Sequence, residues 1–184
     1  MKTIITTTLL FIMIVTTLAI GKTIIQNPEK SSQTMRSNTD YIVLGMGCFW
    51  GAEKRMSEIS GVIDVESGYA GGDIANANYQ QILAHEKALR AGKATARNHA
   101  EVIKVTFDPA KVTLETVLAK FWENHNPTQG DRQGNDIGSN YRSTIYYHNP
   151  AQLELAKATQ HLYQQALNTA GYGTITTEIL PLKN

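Results

Sequence analysis

Short apolar runs and longer amphipathic segments alternate along the chain from residue 41 onwards. Runs with a period of two that are rich in β-branched and aromatic residues predict strands, and apolar residues spaced three and four apart predict helices. By these patterns we expect strands over residues 41–44, 62–69, 100–107, 141–147 and 175–180. We expect helices over residues 49–59, 80–89, 114–125 and 150–167. Thr113 is the expected N-cap of the third helix, and Asn149 and Pro150 are the expected N-cap and first residue of the fourth.

The order of these elements predicts an α+β fold. Strand, helix, strand, strand, helix, strand over residues 41–147, with one further helix inserted, is the order of a split βαβ (ferredoxin-like) sandwich. We expect a mixed sheet with helices packed against one face, extended by a C-terminal helix and an edge strand. Residues 126–140 interrupt this order with polar, glycine-bearing sequence. A structureless stretch of that length is uncommon in a compact domain unless it forms a binding loop.

The composition is that of an ordinary globular domain. Of the 184 residues, 42% are hydrophobic, and the formal net charge is +1. Without an excess of basic residues, nothing favours a nucleic-acid partner or an anionic membrane surface, and the charged run over residues 87–93 is expected to be a solvated face. The five histidines and the single cysteine do not have the spacing of a metal site. We expect a monomer with neither a metal nor another cofactor.

Residues 1–21 have the pattern of a secretory signal peptide. Lys2 provides a positive start, residues 9–15 are apolar, and Ala19–Gly21 supply small residues for cleavage. An uncleaved membrane anchor is the alternative. Residues 22–40 are polar and predict a flexible linker, so that residues 41–184 form a single domain. The protein is therefore expected to be exported, either periplasmic or secreted, or else held at the membrane by its N-terminal segment.

Cys48 is expected at a turn between a strand and a helix, because Gly45 and Gly47 end the strand before it and Phe49 begins the helix after it. A helix N-terminus presents free N–H groups and a partial positive charge, which favour a thiolate. The alternative is an inert buried cysteine. One cysteine in an exported chain cannot form an internal disulfide, and this favours a free reactive thiol.

Two aromatic residues, Phe49 and Trp50, follow Cys48 directly. Adjacent aromatics at a helix start are often part of a core. However, neighbouring helical residues point about 100° apart. We therefore expect at least one of the two to line a cleft beside the cysteine.

Glu101 is the second candidate for chemistry. The period of two places it on the same strand face as Ile103, Val105 and Phe107. If that face packs inward, desolvation raises the pKa of the carboxyl and lets it hold a proton near neutral pH. The alternative is a glutamate at the strand end that is turned toward water.

Several segments of the chain resemble peptide methionine sulfoxide reductase A, in the same order, over most of residues 41–147. They are GCFWGAE (47–53), GYAGG (68–72), HAEV (99–102), FWENH (121–125), QGNDIG (133–138) and YRS (141–143). The resemblance implies an oxidoreductase that returns the S-epimer of methionine sulfoxide, protein-bound or free, to methionine.

The resemblance also implies roles for individual residues. Cys48 would be the nucleophile that attacks the sulfoxide sulfur, releasing methionine and leaving a sulfenic acid. Glu101 would protonate the departing oxygen. Phe49 and Trp50 would wall the pocket for the S-methyl group. The residues that bond the oxygen or organise the site would be Tyr79, Tyr141 and Asp136.

The sequence departs from the pattern of this family in three places. The segment from Tyr79 to His99 is longer than usual, with Arg97–Asn98 where a small Thr-Gly pair is usual. Asn140 stands in place of a glutamine. No second cysteine is present to resolve the sulfenic acid. The resemblance then implies an external thiol as the reductant, from a thioredoxin-like protein or a small molecule.

Two other functions are consistent with the same residues. A single-cysteine thiol peroxidase would use the same reactive thiol, and it would consume peroxide faster than sulfoxide. A binding module would hold a small polar ligand in its glycine-rich loops while the cysteine served as a core residue. In that protein Cys48 would not react with iodoacetamide.

Overall fold

The computed structural model of the protein describes residues 38–75 and 78–183. The predicted signal or anchor segment, residues 1–21, and residues 22–37 of the predicted linker lie outside these ranges and stay predictions. Among the helices described, none combines the length and the apolar character that crossing a lipid bilayer requires.

Strands and helices alternate along the described chain. The strands are β1 (Asp40–Met46), β2 (Val62–Ala70), β3 (Ala100–Phe107), β4 (Arg132–Gln133), β5 (Asp136–Ile137), β6 (Ser143–Tyr147) and β7 (Glu178–Pro181). The helices are α1 (Phe49–Ser57), α2 (Tyr79–Arg90), α3 (Leu114–Glu123) and α4 (Pro150–Thr169). A 3₁₀ turn over Ser139–Tyr141 precedes β6.

Five of these strands form a mixed sheet in the order β2-β3-β1-β6-β7. β1 is antiparallel to β3 and to β6, and β3 is antiparallel to β2. β7 lies at the edge, parallel to β6. Because β3 lies between the two strands that α1 connects, the predicted split βαβ arrangement is confirmed. α4 and β7 add the expected C-terminal helix and edge strand.

The main hydrophobic core lies on one face of the sheet. Ile42 and Leu44 of β1 and Ile103 of β3 are fully buried there. The helical residues that pack in the same core are Ala52 and Met56 of α1, Val117, Leu118, Phe121 and Trp122 of α3, and Ala156 of α4. The alternate residues of the two strands, such as Val43 and Val102, belong to a smaller cluster on the opposite face. Glu101 alternates with that cluster and therefore shares the side of the main core.

Three helices start where the local sequence supplies a cap. The side chain of Thr113 accepts a hydrogen bond from the Thr116 N–H, and Asn149 caps α4 with Pro150 at its first turn, as the sequence predicts. Asn78 caps α2 by a reciprocal pair of hydrogen bonds with Gln81. These caps fix Tyr79 as the first residue of α2, one residue before the predicted start.

The predicted loop over residues 126–140 is only partly irregular, and this corrects the prediction. β4 and β5 pair antiparallel within it, and the 3₁₀ turn closes it. Tyr141 belongs to that turn, so the strand predicted from residue 141 begins at Ser143. The last strand is also shorter than predicted, at Glu178–Pro181. It ends on a proline, which an edge strand tolerates.

His125 follows α3 and is held neutral inside the fold. Its Nδ1 hydrogen-bonds the carbonyl of Phe121 at 2.7 Å and its Nε2 hydrogen-bonds the hydroxyl of Ser143 at 2.7 Å. Burial lowers the pKa of His125 to about 4, although the hydrogen bond to the Phe121 carbonyl acts in the opposite direction. Both ring nitrogens thus have a hydrogen-bond partner within the protein.

Protonation of His125 should therefore make the fold sensitive to mild acid. Because the folded pKa lies below the ordinary 6.5, the unfolded chain binds the proton first. The stability is fully present above pH 6.5 and falls as the pH drops toward 4, by up to about 3 kcal/mol. Urea unfolding between pH 7.5 and 4.5 measures this loss. His125→Gln should flatten the profile, whereas the exposed control His161→Gln should leave its shape unchanged.

Candidate active site

Cys48 lies at the N-terminal end of α1, directly after β1. It occupies the N-cap position, with its carbonyl accepting a hydrogen bond from Ala52 N–H at 3.2 Å. Its side chain makes no capping hydrogen bond and the residue is partly exposed, so the thiol is neither used by the helix nor sealed in the core. The alternative of an inert, fully buried cysteine does not agree with this position.

Two glycines make the turn to Cys48 possible. Gly47 has φ +97°, a conformation that side chains other than glycine rarely adopt, and a Cβ there would lie 2.7 Å from the side chain of Gln133. At Gly45 a Cβ would lie 2.4 Å from the hydroxyl of Thr144. The turn that presents the cysteine is thus packed closely against β6 and against the segment that carries β4.

Glu101 is brought to Cys48 by a single backbone hydrogen bond. The N–H of Phe49, the residue after the cysteine, donates to Glu101 Oε2 at 3.1 Å. Glu101 as a whole residue is only 3% exposed. Burial raises its pKa above the ordinary value, while the hydrogen bond from Phe49 partly opposes this rise. The alternative of a strand-end glutamate that is turned toward water does not agree with this position.

A cavity of about 320 Å³ opens between these two residues. It is lined by Cys48, Phe49, Trp50, Tyr69, Tyr79, Glu101 and Tyr141. The volume is near the lower end of small-molecule sites, and the lining is mainly aromatic with a few polar groups. Six of the seven residues expected at the site from the sequence meet here.

The two aromatics after Cys48 both line the cavity but differ in their exposure. Phe49 is half-buried, packs against the main core and has its ring 5.6 Å from the ring of Tyr69. Trp50 is 78% exposed and stands at the mouth of the cavity. Such a mouth is open to the side chain of another polypeptide.

Tyr69 is a cavity residue that the sequence reasoning missed. It pairs directly with Glu101 across β2 and β3, so both side chains lie on the same face. Its hydroxyl is buried and has no hydrogen-bond partner among the described residues. Burial, and next the charge of Glu101, raise the pKa of Tyr69 to about 12. The GYAGG segment, which is among those that resemble the family, is the available signal, but the sequence analysis assigns no role to Tyr69 within it.

Asn140 is the second residue whose position was not foreseen. It is fully buried behind Tyr141, and neither polar atom of its amide has a hydrogen-bond partner of normal geometry among the described residues. The amide nevertheless lies close enough to Glu101 and Tyr141 to lower the pKa of each, against the larger rise that burial causes. Asn140 does not line the cavity, and it acts on the site through its contact with these two residues.

Asp136 does not line the cavity. It lies in β5, is exposed, and pairs through the backbone with Gln133. It is still near enough that its charge contributes to the raised pKa of Glu101, as the weakest of the identified causes. Asp136 therefore affects the site through its charge, from outside the cavity.

A buried arginine holds the 3₁₀ turn that carries Tyr141. Arg142 is 2% exposed and donates hydrogen bonds to three backbone carbonyls and one carboxylate. The acceptors are Gly71, Asn98, Ser139 and Glu178. Because these acceptors lie in four separate parts of the chain, Arg142 fixes the position of Tyr141 relative to the sheet.

The two residues that depart from the family pattern before β3 have structural contacts. Arg97 forms an ion pair with Glu178 on β7. Asn98 is fully buried, and its amide donates to the carbonyl of Ile82 and to Glu86, both in α2. Asn98 thus attaches α2, whose first residue lines the cavity, to the strand that carries Glu101.

Within the described chain, no cluster of three or more His, Cys, Asp or Glu side chains has a geometry that could hold a metal ion. The cavity itself presents one thiol, one carboxyl and three tyrosine hydroxyls.

Comparison with known proteins gives a consistent result. A family model described as peptide methionine sulfoxide reductase matches residues 40–184. Peptide methionine sulfoxide reductase MsrA of Pseudomonas putida is 49% identical over 140 residues, which cover 76% of this chain and 59% of the relative. The chain spans about six-tenths of the length of the curated relatives it matches.

Solved structures share the fold. Methionine sulfoxide reductase A of Corynebacterium diphtheriae superposes with a TM-score of 0.68 at 42% identity, covering 78% of this chain and 65% of that one. Mxr1 of Saccharomyces cerevisiae in its reduced form gives a TM-score of 0.67 at 28% identity, covering 79% of this chain and 77% of that one.

Proposed function

Because the chain belongs to the peptide methionine sulfoxide reductase family, we propose that it reduces the S-epimer of methionine sulfoxide, in proteins or free, to methionine. The observation that carries the proposal is the position of Cys48 and Glu101 in one aromatic cavity, joined through the N–H of Phe49. A thiol that attacks sulfur and a buried carboxyl that donates a proton to oxygen are the two groups that this reaction needs.

The proposed first half-reaction moves one oxygen atom from substrate to enzyme. The thiolate of Cys48 attacks the sulfoxide sulfur while Glu101 delivers a proton to the sulfoxide oxygen. The attack forms a bond between the two sulfur atoms. That bond and the sulfur–oxygen bond then break, the hydroxyl is transferred to Cys48 as a sulfenic acid, and the thioether leaves as methionine. The sulfoxide sulfur is reduced by two electrons and the cysteine sulfur is oxidised by two, so the step balances without a cofactor.

An external thiol is proposed for the second half-reaction, because the sequence holds one cysteine. A first thiol condenses with the sulfenic acid, forming a mixed disulfide and water. A second thiol then attacks that disulfide and restores the Cys48 thiol. Trp50 at the exposed mouth leaves the sulfur accessible to a thioredoxin-like protein or to a small thiol.

The proposal is tested with the two separated sulfoxide epimers and dithiothreitol. We expect turnover of the S-epimer and none of the R-epimer. Without reductant, one equivalent of sulfide should form for each protein molecule, and the mass of the protein should rise by one oxygen atom. Peroxide consumption faster than sulfoxide reduction would contradict the proposal and favour a thiol peroxidase.

The unpartnered hydroxyl of Tyr69 provides a separate test of the cavity. We propose that it donates to the sulfoxide oxygen beside Glu101, with which Tyr69 pairs across the sheet. Tyr69→Phe should lower kcat/KM about tenfold, the value of one hydrogen bond. Thermal stability should stay equal or rise, because a buried unpartnered hydroxyl is removed. Loss of activity together with a lower Tm would instead indicate a structural role.

A further inference from the structure

A second hollow, of about 510 Å³, adjoins the cysteine cavity. We call it the α2 groove; its lining is Leu83, Glu86, Lys87, Arg90, Ala91, Ile137, Asn140 and Tyr141. The α2 groove and the cavity share Tyr141, and the Asn140 that lines the groove also faces Glu101. The two hollows thus lie on either side of Tyr141, close enough for one polypeptide to contact both.

One face of α2 connects the two spaces. Tyr79, Leu83 and Lys87 follow one another at intervals of four residues and so lie along one side of the helix. Tyr79 lines the cavity, whereas the other two line the groove. At about 1.5 Å per residue, Lys87 lies about 12 Å and Arg90 about 16 Å along the helix from Tyr79. An extended peptide covers these distances in about four to five residues.

The floor of the α2 groove is apolar and exposed. Leu83 of α2 is 36% exposed and Ile137 of β5 is 50% exposed. Together they give the groove an apolar surface that an uncharged stretch of polypeptide can cover.

The far end of the groove is basic. Lys87 and Arg90 are exposed, and neither forms an ion pair with any described residue. The one carboxylate in the lining, Glu86, is buried and accepts hydrogen bonds from Ser139 and Asn98. Of two acidic residues nearby, Asp131 lines an adjoining hollow that also includes Arg90 and Ile137, whereas Asp136 lines neither hollow.

We propose that the α2 groove binds the polypeptide that flanks an oxidised methionine, and that an acidic side chain three to five residues from the methionine pairs with Lys87 and Arg90. The proposal rests on the proposed function and narrows its substrate class to methionine sulfoxide in extended, acidic segments of other proteins. The apolar floor contacts the peptide residues between the methionine and the acidic side chain, and Lys87 and Arg90 favour a negative charge at the far end.

Short peptides test this preference. Each contains one methionine sulfoxide and carries either glutamates or lysines three to five residues before or after it. N-acetylmethionine sulfoxide amide is the small substrate that cannot reach the groove. At low salt we expect kcat/KM to be about three- to tenfold higher for glutamate on one side of the methionine, as two exposed ion pairs allow. The preference should disappear at about 0.5 M salt.

Two variants separate the groove from the rest of the surface. Lys87→Glu with Arg90→Glu should reverse the preference between the peptides and leave turnover of the amide unchanged. The control, Lys120→Glu with Lys157→Glu, makes the same change in charge on α3 and α4, outside both spaces, and should preserve the preference. Leu83→Ser should raise KM for every peptide and leave KM for the amide unchanged.

The outcomes distinguish the two proposals. Normal turnover of the amide, without a charge preference or with one that the Lys87 and Arg90 reversal does not alter, would overturn the groove. No turnover of either the amide or the peptides would contradict the proposed function instead. In that case, binding of the two peptides to the Cys48→Ser protein, followed by tryptophan fluorescence, would test the groove separately. Tighter binding of the glutamate peptide would support the groove, and equal binding would overturn it.

Discussion

Cys48→Ser will abolish sulfoxide reduction, lowering kcat/KM by roughly three orders of magnitude or more. A serine hydroxyl occupies nearly the same space but is far less nucleophilic than a thiolate. The Cys48 side chain makes no capping hydrogen bond in the fold, so Tm and the circular dichroism spectrum should stay unchanged. Turnover of the S-epimer with dithiothreitol measures the loss, and the mass of the variant should not increase after exposure to sulfoxide.

Ser57→Ala on the same helix is the matched control, since its hydroxyl bonds only to the carbonyl of Lys54 and lies outside the cavity. This variant should keep full activity. Reaction of native protein with iodoacetamide should proceed at Cys48 and inactivate the enzyme in step with labelling. If the Cys48→Ser protein turned over sulfoxide undiminished, the proposed mechanism would be excluded.

Much of the fold followed from periodicity because the periodic segments are also the ones that pack. The strand predicted over residues 100–107 has the observed bounds of β3, and its two faces divide between two hydrophobic clusters. The caps Thr113 and Asn149 were read correctly for the same reason. Their side chains bond within three residues, so the local sequence contains the whole interaction.

The irregular segment between α3 and β6 could not be predicted in the same way. β4 and β5 are each two residues long, which is too short to show a period. Tyr141 was assigned to a strand because aromatic residues follow it. However, the buried side chain of Arg142 takes its partners from distant parts of the chain and fixes a 3₁₀ turn there. Interactions over such sequence separations leave no local pattern.

Tyr69 was missed because its orientation depends on strand register. The pairing of β2 with β3 shifts between Val62 and Asp64. A shift by one residue moves every later side chain of a strand to the other face. The sequence shows that residues 62–69 form a strand, but the position of this irregularity decides that Tyr69 meets Glu101. Asn140 was noted as a departure from the family pattern, yet its burial beside Glu101 depends on the same tertiary packing.

Glu101→Gln should produce the second-largest loss, lowering kcat by about 10²- to 10⁴-fold, because the amide cannot donate a proton to the sulfoxide oxygen. In the native enzyme this contribution requires the protonated carboxyl. The contribution is present below the folded pKa of Glu101 and is lost as the pH rises through that value. Because burial raises this pKa, the loss of activity should occur at a higher pH than for an ordinary glutamate. The profile of kcat/KM against pH should show this limb in the native enzyme, and the residual activity of the variant should lack it.

The stability of the Glu101→Gln protein should change in the direction opposite to its activity. A carboxyl whose folded pKa is raised favours the fold most below its unfolded pKa and loses that contribution as the pH rises through the folded value. Gln still accepts the Phe49 N–H through its amide oxygen, so the variant should unfold at equal or higher urea than the native protein above neutral pH. Glu53→Gln, an exposed carboxyl on α1 outside the cavity, should change neither the rate profile nor the stability profile. A Glu101→Gln protein that was slower but kept the native pH limb would assign the proton to another group.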